Sequence, residues 1–219
     1  MRVRRTLFWV GLALALTGVV LLGYVGWEFV GTNIVSRHHQ QEQVRSLRTQ
    51  WAAGHGPIAE KGDVVPGRAS ALIRVPRFGS SYVMPVLEGT SSSVLAQGFG
   101  HFTGTAIPGG VGNYALAAHR VTHGEPLRHM PDLRPGDRVL VETRRAVYTY
   151  VLDTDPNELV VPFTAGWVVQ PFPVNPDGGV GPDPADGRRL ITLTTCSELF
   201  HTDNRMVAFG HLASVHTKS

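Results

Sequence analysis

The sequence has very little cysteine: Cys196 is the single cysteine among 219 residues. One cysteine excludes an intrachain disulfide and leaves three roles for the thiol: a buried core residue, an intermolecular bridge or a reactive group. Free cysteine is among the most buried residue types, so the core role is the default interpretation. Other features of the chain have to favour a reactive thiol before that default is set aside.

The sequence also lacks a basic stripe interleaved with aromatic residues, although its formal net charge is +3. Arg2, Arg4 and Arg5 carry three positive charges, so the rest of the chain is close to neutral. This excludes the charge pattern of a nucleic-acid-binding protein, and we expect no nucleic-acid partner. No acidic calcium cluster occurs in the loops, and we expect no metal and no other cofactor.

Charged residues are absent from positions 6 to 27, where apolar residues dominate. A run of about 20 apolar residues matches the hydrocarbon core of a bilayer. A cleaved signal peptide is the alternative, but its apolar region is shorter and is followed by a small-residue cleavage site, which this sequence lacks. The arginines before the run place the N-terminus in the cytoplasm by the positive-inside rule. We therefore predict a single-pass anchor in the cell membrane, with the remainder of the chain outside the cytoplasm.

Shifts in composition predict a cytoplasmic tail over 1–6, a membrane anchor over 7–30, a polar juxtamembrane helix or linker over 31–68, and a folded domain over 69–219. In the folded part, short strand-like runs alternate with turn residues. Strands are predicted at Leu72–Val75, Tyr82–Leu87, Tyr114–His119, Arg138–Thr143, Val147–Leu152, Leu190–Thr195 and Met206–Ala213, with short helical turns at Ser91–Gln97 and Pro126–Met130. Many short strands with little helix predict an all-β barrel or sandwich.

Two of these runs lead to residues that could do chemistry, because one ends at His119 and the other is followed directly by Cys196. A thiol is mostly protonated at neutral pH, so a nucleophilic cysteine needs a base or a cation nearby. Arg205 opens the strand after Cys196, and because sequential strands usually pair, its guanidinium can stabilise an oxyanion in front of the thiol. Considered alone, His119 would be a structural histidine and Arg205 a surface residue. The other histidines, including His101, have no comparable setting, and His123 falls in a turn.

Together these residues resemble a known family. The stretch Thr192-Leu193-Thr194-Thr195-Cys196 matches the Thr-Leu-x-Thr-Cys signature of sortases, the membrane-anchored cysteine transpeptidases of Gram-positive bacteria. Residues 114–120 resemble their histidine strand, and Arg205 falls where their arginine follows the cysteine. The stretches 85–90 and 98–109 resemble the class E sortases of actinobacteria. The resemblance covers roughly Leu72 to Leu212; one departure is Ala118, where many members have glycine before the histidine.

The resemblance implies a sortase-like eight-stranded β-barrel with short helices, preceded by one N-terminal transmembrane helix. It implies that Cys196 attacks the Thr–Gly carbonyl of a C-terminal sorting signal on a secreted protein. His119 would protonate the leaving glycine amine, and Arg205 would stabilise the oxyanion. An amine of a cell-wall precursor, similar to lipid II, would then resolve the thioacyl enzyme. The partners expected from this resemblance are therefore secreted proteins, the precursor and the membrane.

We also predict the residues that contact the substrate. On the strands and turns near the cysteine these are Phe102, Ala117, Thr194 and Thr195. The long segment Pro162–Arg188 precedes the cysteine strand and is rich in proline and glycine, yet its apolar residues favour a substrate-lining loop over a solvated tether. Trp167 and Val168 are its predicted contacts.

Two other functions stay open from the sequence. An L,D-transpeptidase is also exported and depends on cysteine and histidine, but that family has a Ser/His/Gly-rich motif at its cysteine, which 194–197 lacks. A non-catalytic extracytoplasmic binding module with an incidental cysteine is the alternative from another class. That module would predict an unreactive thiol and no effect of Cys196→Ala.

Overall fold

A computed structural model of the chain describes residues 2–27, 31–59, 65–183, 187–196 and 203–218. Helix α1 spans Arg2–Gly26 and α2 spans Thr32–Ala52. In α1, the segment Arg4–Gly26 is long and apolar enough to cross a membrane, with a mean hydropathy of 2.1 and none of it buried against the rest of the protein. This exposure is what an apolar helix needs if its side chains are to face lipid.

The rest of the chain forms a β-barrel, and nine strands occur in its described residues. They are β1 (Ala69–Arg74), β2 (Met84–Glu88), β3 (Phe99–His101), β4 (Gly112–Ala117), β5 (Arg138–Glu142), β6 (Ala146–Leu152), β7 (Val160–Pro162), β8 (Arg189–Cys196) and β9 (Asn204–Thr217). Their order is β6-β5-β1-β2-β3-β4-β8-β9-β7, and a further β6–β9 pairing closes the sheet. The short β7 pairs with the first residues of β9, outside the eight strands that close the barrel. The predicted eight-stranded barrel is confirmed.

Strand alternation separates the barrel interior from its outer surface. In β8, Ile191 and Leu193 belong to the central apolar cluster, while Thr192 and Thr194 point to the opposite face, as the two-residue period of a strand requires. The β-branched residues of β8 favour an extended strand. The strand is paired on both edges, with β4 in parallel and with β9 in antiparallel orientation. The face that Thr192 and Thr194 share is where the candidate site lies.

Helix α2 packs on the outside of the barrel. Its buried face consists of Ser36, Gln40, Val44 and Leu47, which recur every three or four residues. Val44 and Leu47 form an apolar cluster with Leu72 of β1. The segment predicted as a polar helix or linker therefore contains a helix that is docked on the folded domain. Its sequence reads as polar all round because half of the docked face is itself polar.

Candidate active site

The ends of β4, β8 and β9 lie side by side and bring the predicted catalytic residues into one row. Ala117 of β4 is the register partner of Thr194, and Cys196 is the register partner of Arg205. Extending the parallel β4–β8 register by two residues sets His119 opposite Cys196. The row His119, Cys196 and Arg205 thus crosses three adjacent strands at one end of the barrel.

Two hydrogen bonds fix the strand ends that carry this row. The Ala118 N–H donates to the Thr194 carbonyl at 3.2 Å, and the Thr195 hydroxyl donates to the Ala118 carbonyl at 2.6 Å. Thr195 is 2% exposed, on the inward side of β8. The residue before the cysteine is therefore bonded directly to the residue before the histidine, which holds the two strand ends at a constant separation. The structure does not bring the Thr195 side chain to the outer face.

The surroundings of the three residues differ. His119 is half-buried, and its ring stacks on that of His123 with the centroids 4.7 Å apart and the planes at 25°. Arg205 is also half-buried, and its Nη1 donates to the carbonyl of Asn204 at 3.0 Å. The structure describes the backbone of Cys196, whose side chain, like residues 197–202, lies outside the described part of the chain.

Further predicted contact residues lie along the same outer face. The backbone N–H of Phe102, just beyond β3, donates to the Ala115 carbonyl of β4 at 3.0 Å. Alternation along β3 and β4 then puts Phe102 and Ala117 on the outward side, in line with Thr194 of β8. Since β3, β4 and β8 are consecutive neighbours in the sheet, these residues border one continuous surface that leads to Cys196.

The segment before β8 covers part of this face through the 3-10 turn Gly166–Val169. The carbonyl of Val168 accepts hydrogen bonds from Asn113 Nδ2 at 3.0 Å and from the Thr192 hydroxyl at 3.2 Å. The ring of Trp167 lies 5.8 Å from that of Phe209 on β9, between centroids. Val168 is buried, so it anchors the turn on the sheet, whereas the half-buried Trp167 lies at the surface of the covered area.

The sequence did not predict the buried ion pair of Glu88 and His101, which lies inside the barrel behind this outer face. Nδ1 of His101 lies 2.6 Å from Oε2 of Glu88, and these side chains are only 5% and 4% exposed. Its Nε2 lies 3.0 Å from the Ala106 carbonyl and 2.9 Å from the Thr105 hydroxyl, so the ring fastens the turn that follows Phe102. The parallel register of β2 and β3 makes His101 the partner of Glu88. The only hint in the sequence is that both residues stand in the stretches that resemble class E sortases.

A tyrosine packs beside this ion pair inside the barrel. The ring of Tyr114 lies 4.9 Å from that of His101. Burial raises the pKa of Tyr114 well above its usual range, and the nearby Tyr150 and the Glu88 carboxylate raise it further. Tyr114 is therefore a neutral phenol at any physiological pH.

Comparison with known proteins agrees with this architecture. The sortase domain family matches residues 73–213, and the chain accordingly belongs to the sortase family, whose enzymes are cysteine transpeptidases. Within the family it is a class E sortase of the actinobacterial type. It is 33% identical over 213 residues to sortase SrtE1 of Streptomyces coelicolor, covering 93% of this chain and 56% of that protein. The chain thus spans little more than half the length of that relative.

Solved structures show the same fold. Sortase E from Streptomyces avermitilis is 36% identical, with a TM-score of 0.60, and the match covers 70% of this chain and 93% of that one. Sortase E1 from Streptomyces coelicolor, solved with a tripeptide in its active site, is 33% identical with a TM-score of 0.58 and the same two coverages, 70% and 93%.

Proposed function

We propose that this chain is a membrane-anchored cysteine transpeptidase. It cleaves a sorting signal of the Leu-Ala-x-Thr-Gly or Leu-Pro-x-Thr-Gly type between threonine and glycine. It then joins the threonine carboxyl group to an amine of a cell-wall precursor. The observation that carries the proposal is the backbone register at the barrel end. Cys196 pairs with Arg205, and Ala117, two residues before His119, pairs with Thr194, two residues before Cys196.

The reaction has two halves, formation of the thioacyl enzyme and its attack by the acceptor amine. Each half passes through a tetrahedral intermediate. The thiolate of Cys196 attacks the threonine carbonyl carbon, and the resulting oxyanion is stabilised by the guanidinium of Arg205. When the C–N bond breaks, the His119 imidazolium donates its proton to the leaving glycine amine. The acceptor amine then attacks the thioester and loses a proton to His119, and the thiolate of Cys196 leaves. Both halves need His119 within reach of the amine and Arg205 within reach of the oxyanion.

The proposed topology puts this chemistry outside the cytoplasm. Arginines 2, 4 and 5 precede the apolar segment of α1, which favours a cytoplasmic N-terminus by the positive-inside rule. Helix α2 follows a few residues after α1 and docks on the barrel, so the domain lies close to the membrane surface. Secreted proteins and a lipid-linked precursor similar to lipid II are available there.

The substrate peptide is proposed to lie along the outer face of β3, β4 and β8. Phe102, Ala117 and Thr194 border that face, and Trp167 and Val168 flank it from the preceding segment. The tripeptide in the active site of the Streptomyces coelicolor sortase supports a peptide-binding role for the equivalent surface here. Thr195 contributes through its hydrogen bond to Ala118, which keeps the two strand ends together.

Mass spectrometry of the thioacyl enzyme tests the proposed function. Full-length protein in detergent, incubated with a Leu-Ala-x-Thr-Gly peptide, is expected to gain the mass of the acyl fragment that ends in threonine. Hydroxylamine should remove this mass, because it cleaves a thioester. An adduct that resists hydroxylamine contradicts the proposal. The absence of an adduct with both the Leu-Ala-x-Thr-Gly and the Leu-Pro-x-Thr-Gly peptide also contradicts it.

A prediction about specificity concerns Phe102, because the resemblance to class E sortases implies tyrosine at this position. Phenylalanine keeps the aromatic bulk but has no hydroxyl to hydrogen-bond the substrate backbone near the second signal residue. That bond matters because proline has no N–H, and sites built on a hydrogen bond discriminate better than sites built on shape. We expect Phe102→Tyr to raise the kcat/KM ratio for alanine over proline signals. An unchanged ratio would rule out this role.

A further inference from the structure

Helix α2 is hydrogen-bonded to the turn that follows His119. Nε2 of Gln40 donates to the His123 carbonyl at 2.9 Å, and the backbone N–H of Gly124 donates to Oδ1 of Asn33 at 2.7 Å. Gln40 is only 2% exposed. Because a carbonyl oxygen can only accept, the amide nitrogen of Gln40 has to face His123. Two buried or half-buried polar groups of a helix near the membrane therefore hold a turn of the candidate active site.

The turn that α2 holds has an unfavourable backbone conformation. His123 and Glu125 have φ values of +53° and +56°, and Gly124 between them has +82°. Residues with a Cβ rarely adopt this left-handed region, and they remain in it only where their surroundings impose it. Arg37 of α2 also contacts the Glu125 carboxylate at 3.0 Å, and Arg128 contacts the same oxygen at 2.8 Å. Helix α2 thus contacts each of the three residues of the turn that have a positive φ.

The same turn also contacts the His119 side chain. The ring of His123 stacks on the ring of His119, and the Leu127 N–H closes the loop by donating to the His119 carbonyl at 2.9 Å. A displacement of His123 therefore changes the surface against which the His119 imidazole rests. Misplacing a catalytic group by about 1 Å can cost on the order of 10²-fold in rate.

We propose that Gln40 is a positioning residue for the transpeptidation reaction. Through its hydrogen bond to His123 it holds the strained turn, and the His123 ring in turn orients the imidazole of His119. The membrane-proximal helix is thereby part of the active-site framework and not a tether. The inference rests on the proposed function for the role of His119, but the contact chain from α2 to His119 is open to a test of its own.

A larger residue at position 124 would meet the side-chain amide of Gln40, which would have to shift. A Cβ on Gly124 would lie 2.5 Å from Oε1 and 2.8 Å from Nε2 of Gln40. Substitution of Gly124 therefore displaces the same Gln40 amide that donates to the His123 carbonyl. Gly136 is a matched control, because it also has a positive φ, +90°, but a Cβ there meets nothing within 4 Å.

The first experiment compares Gln40→Met with Gln41→Met in the full-length protein in detergent, using a Leu-Ala-x-Thr-Gly peptide. Methionine is close in size to glutamine and keeps the helix docked, but it removes the donor to His123. We expect kcat to fall roughly ten- to hundred-fold with KM unchanged, while Gln41→Met, at an exposed position, keeps the wild-type kcat. Wild-type kcat in Gln40→Met would overturn the proposal.

A double-mutant cycle then separates positioning from general stability. If Gln40 acts through His123, Gln40→Met should lower kcat only slightly further in a protein that already carries His123→Ala. If the two residues act independently, their effects on the activation free energy should add. Gly124→Ala should reproduce the kcat loss, and Gly136→Ala should not. Additive losses in the cycle, or equal losses for the two glycine variants, would overturn the assignment.

A measurement that needs no activity distinguishes failure of this inference from failure of the proposed function. Imidazole NMR signals of ¹⁵N-histidine-labelled protein report the setting of His119 directly. We expect the His119 signal to shift in Gln40→Met and Gly124→Ala and to stay in place in Gln41→Met and Gly136→Ala. An unshifted signal in the first pair contradicts the contact chain even if the wild-type protein proves inactive on every peptide.

Discussion

Cys196→Ala is expected to abolish both thioacyl formation and peptide joining, and to leave the barrel folded. Acyl transfer through a covalent intermediate has no route without its nucleophile, so the residual rate should be indistinguishable from the rate without enzyme. Stability should change little, because the inward residues that fill the core beside it, Leu193 and Thr195, are unaffected.

The measurements are adduct mass, peptide joining and thermal unfolding. Cys196→Ser is the matched variant, because it keeps the size of the side chain but its hydroxyl is a far weaker nucleophile, and we expect it to be as inactive as alanine. His119→Ala should be equally inactive while the thiol remains present for alkylation. Peptide joining by Cys196→Ala would exclude the proposed mechanism, whereas loss of the folded barrel would support the core role of the cysteine.

The strands β4 and β8 were predictable from local sequence because each corresponds to an apolar or β-branched run bounded by turn residues. The prediction at Leu190–Thr195 lies within β8, and the one at Tyr114–His119 overlaps β4. The three-residue strands β3 and β7 were missed, because a run this short carries no alternation that distinguishes it from a turn. Their formation depends on pairing with strands that are distant in sequence.

The features around the site depend on long-range contacts and were not predictable. Gln40 looks like any polar residue of an exposed helix until α2 docks and buries it. Glu88 and His101 become partners only through the parallel pairing of β2 and β3. His123 was correctly placed in a turn, but the stacking of its ring on His119 follows from a left-handed backbone that the sequence does not indicate. Local chemistry marks the reacting residues, while tertiary structure supplies the groups that hold them.

Arg205→Lys is expected to lower kcat by about 10²–10³-fold, as removal of an oxyanion donor does in other acyl-transfer enzymes. The loss should occur although the charge is kept. A guanidinium is a planar fork with five N–H donors, whereas an ammonium is a compact point charge with three. Nη1 of Arg205 donates to the Asn204 carbonyl at 3.0 Å, so the fork can keep this bond and still direct a second nitrogen toward an oxyanion. A lysine ammonium that bonds Asn204 has no second nitrogen to direct.

The step affected should be acylation, because the oxyanion first forms when Cys196 attacks the peptide. Single-turnover adduct formation, followed by mass spectrometry, should therefore slow by the same factor as kcat, with peptide binding little changed. Arg138→Lys is the matched control, since it makes the same replacement at an exposed position of β5, away from the row of strand ends. If Arg205→Lys acylates at the wild-type rate, Arg205 acts only through its positive charge. The fork of N–H donors opposite Cys196 is then not needed for acylation.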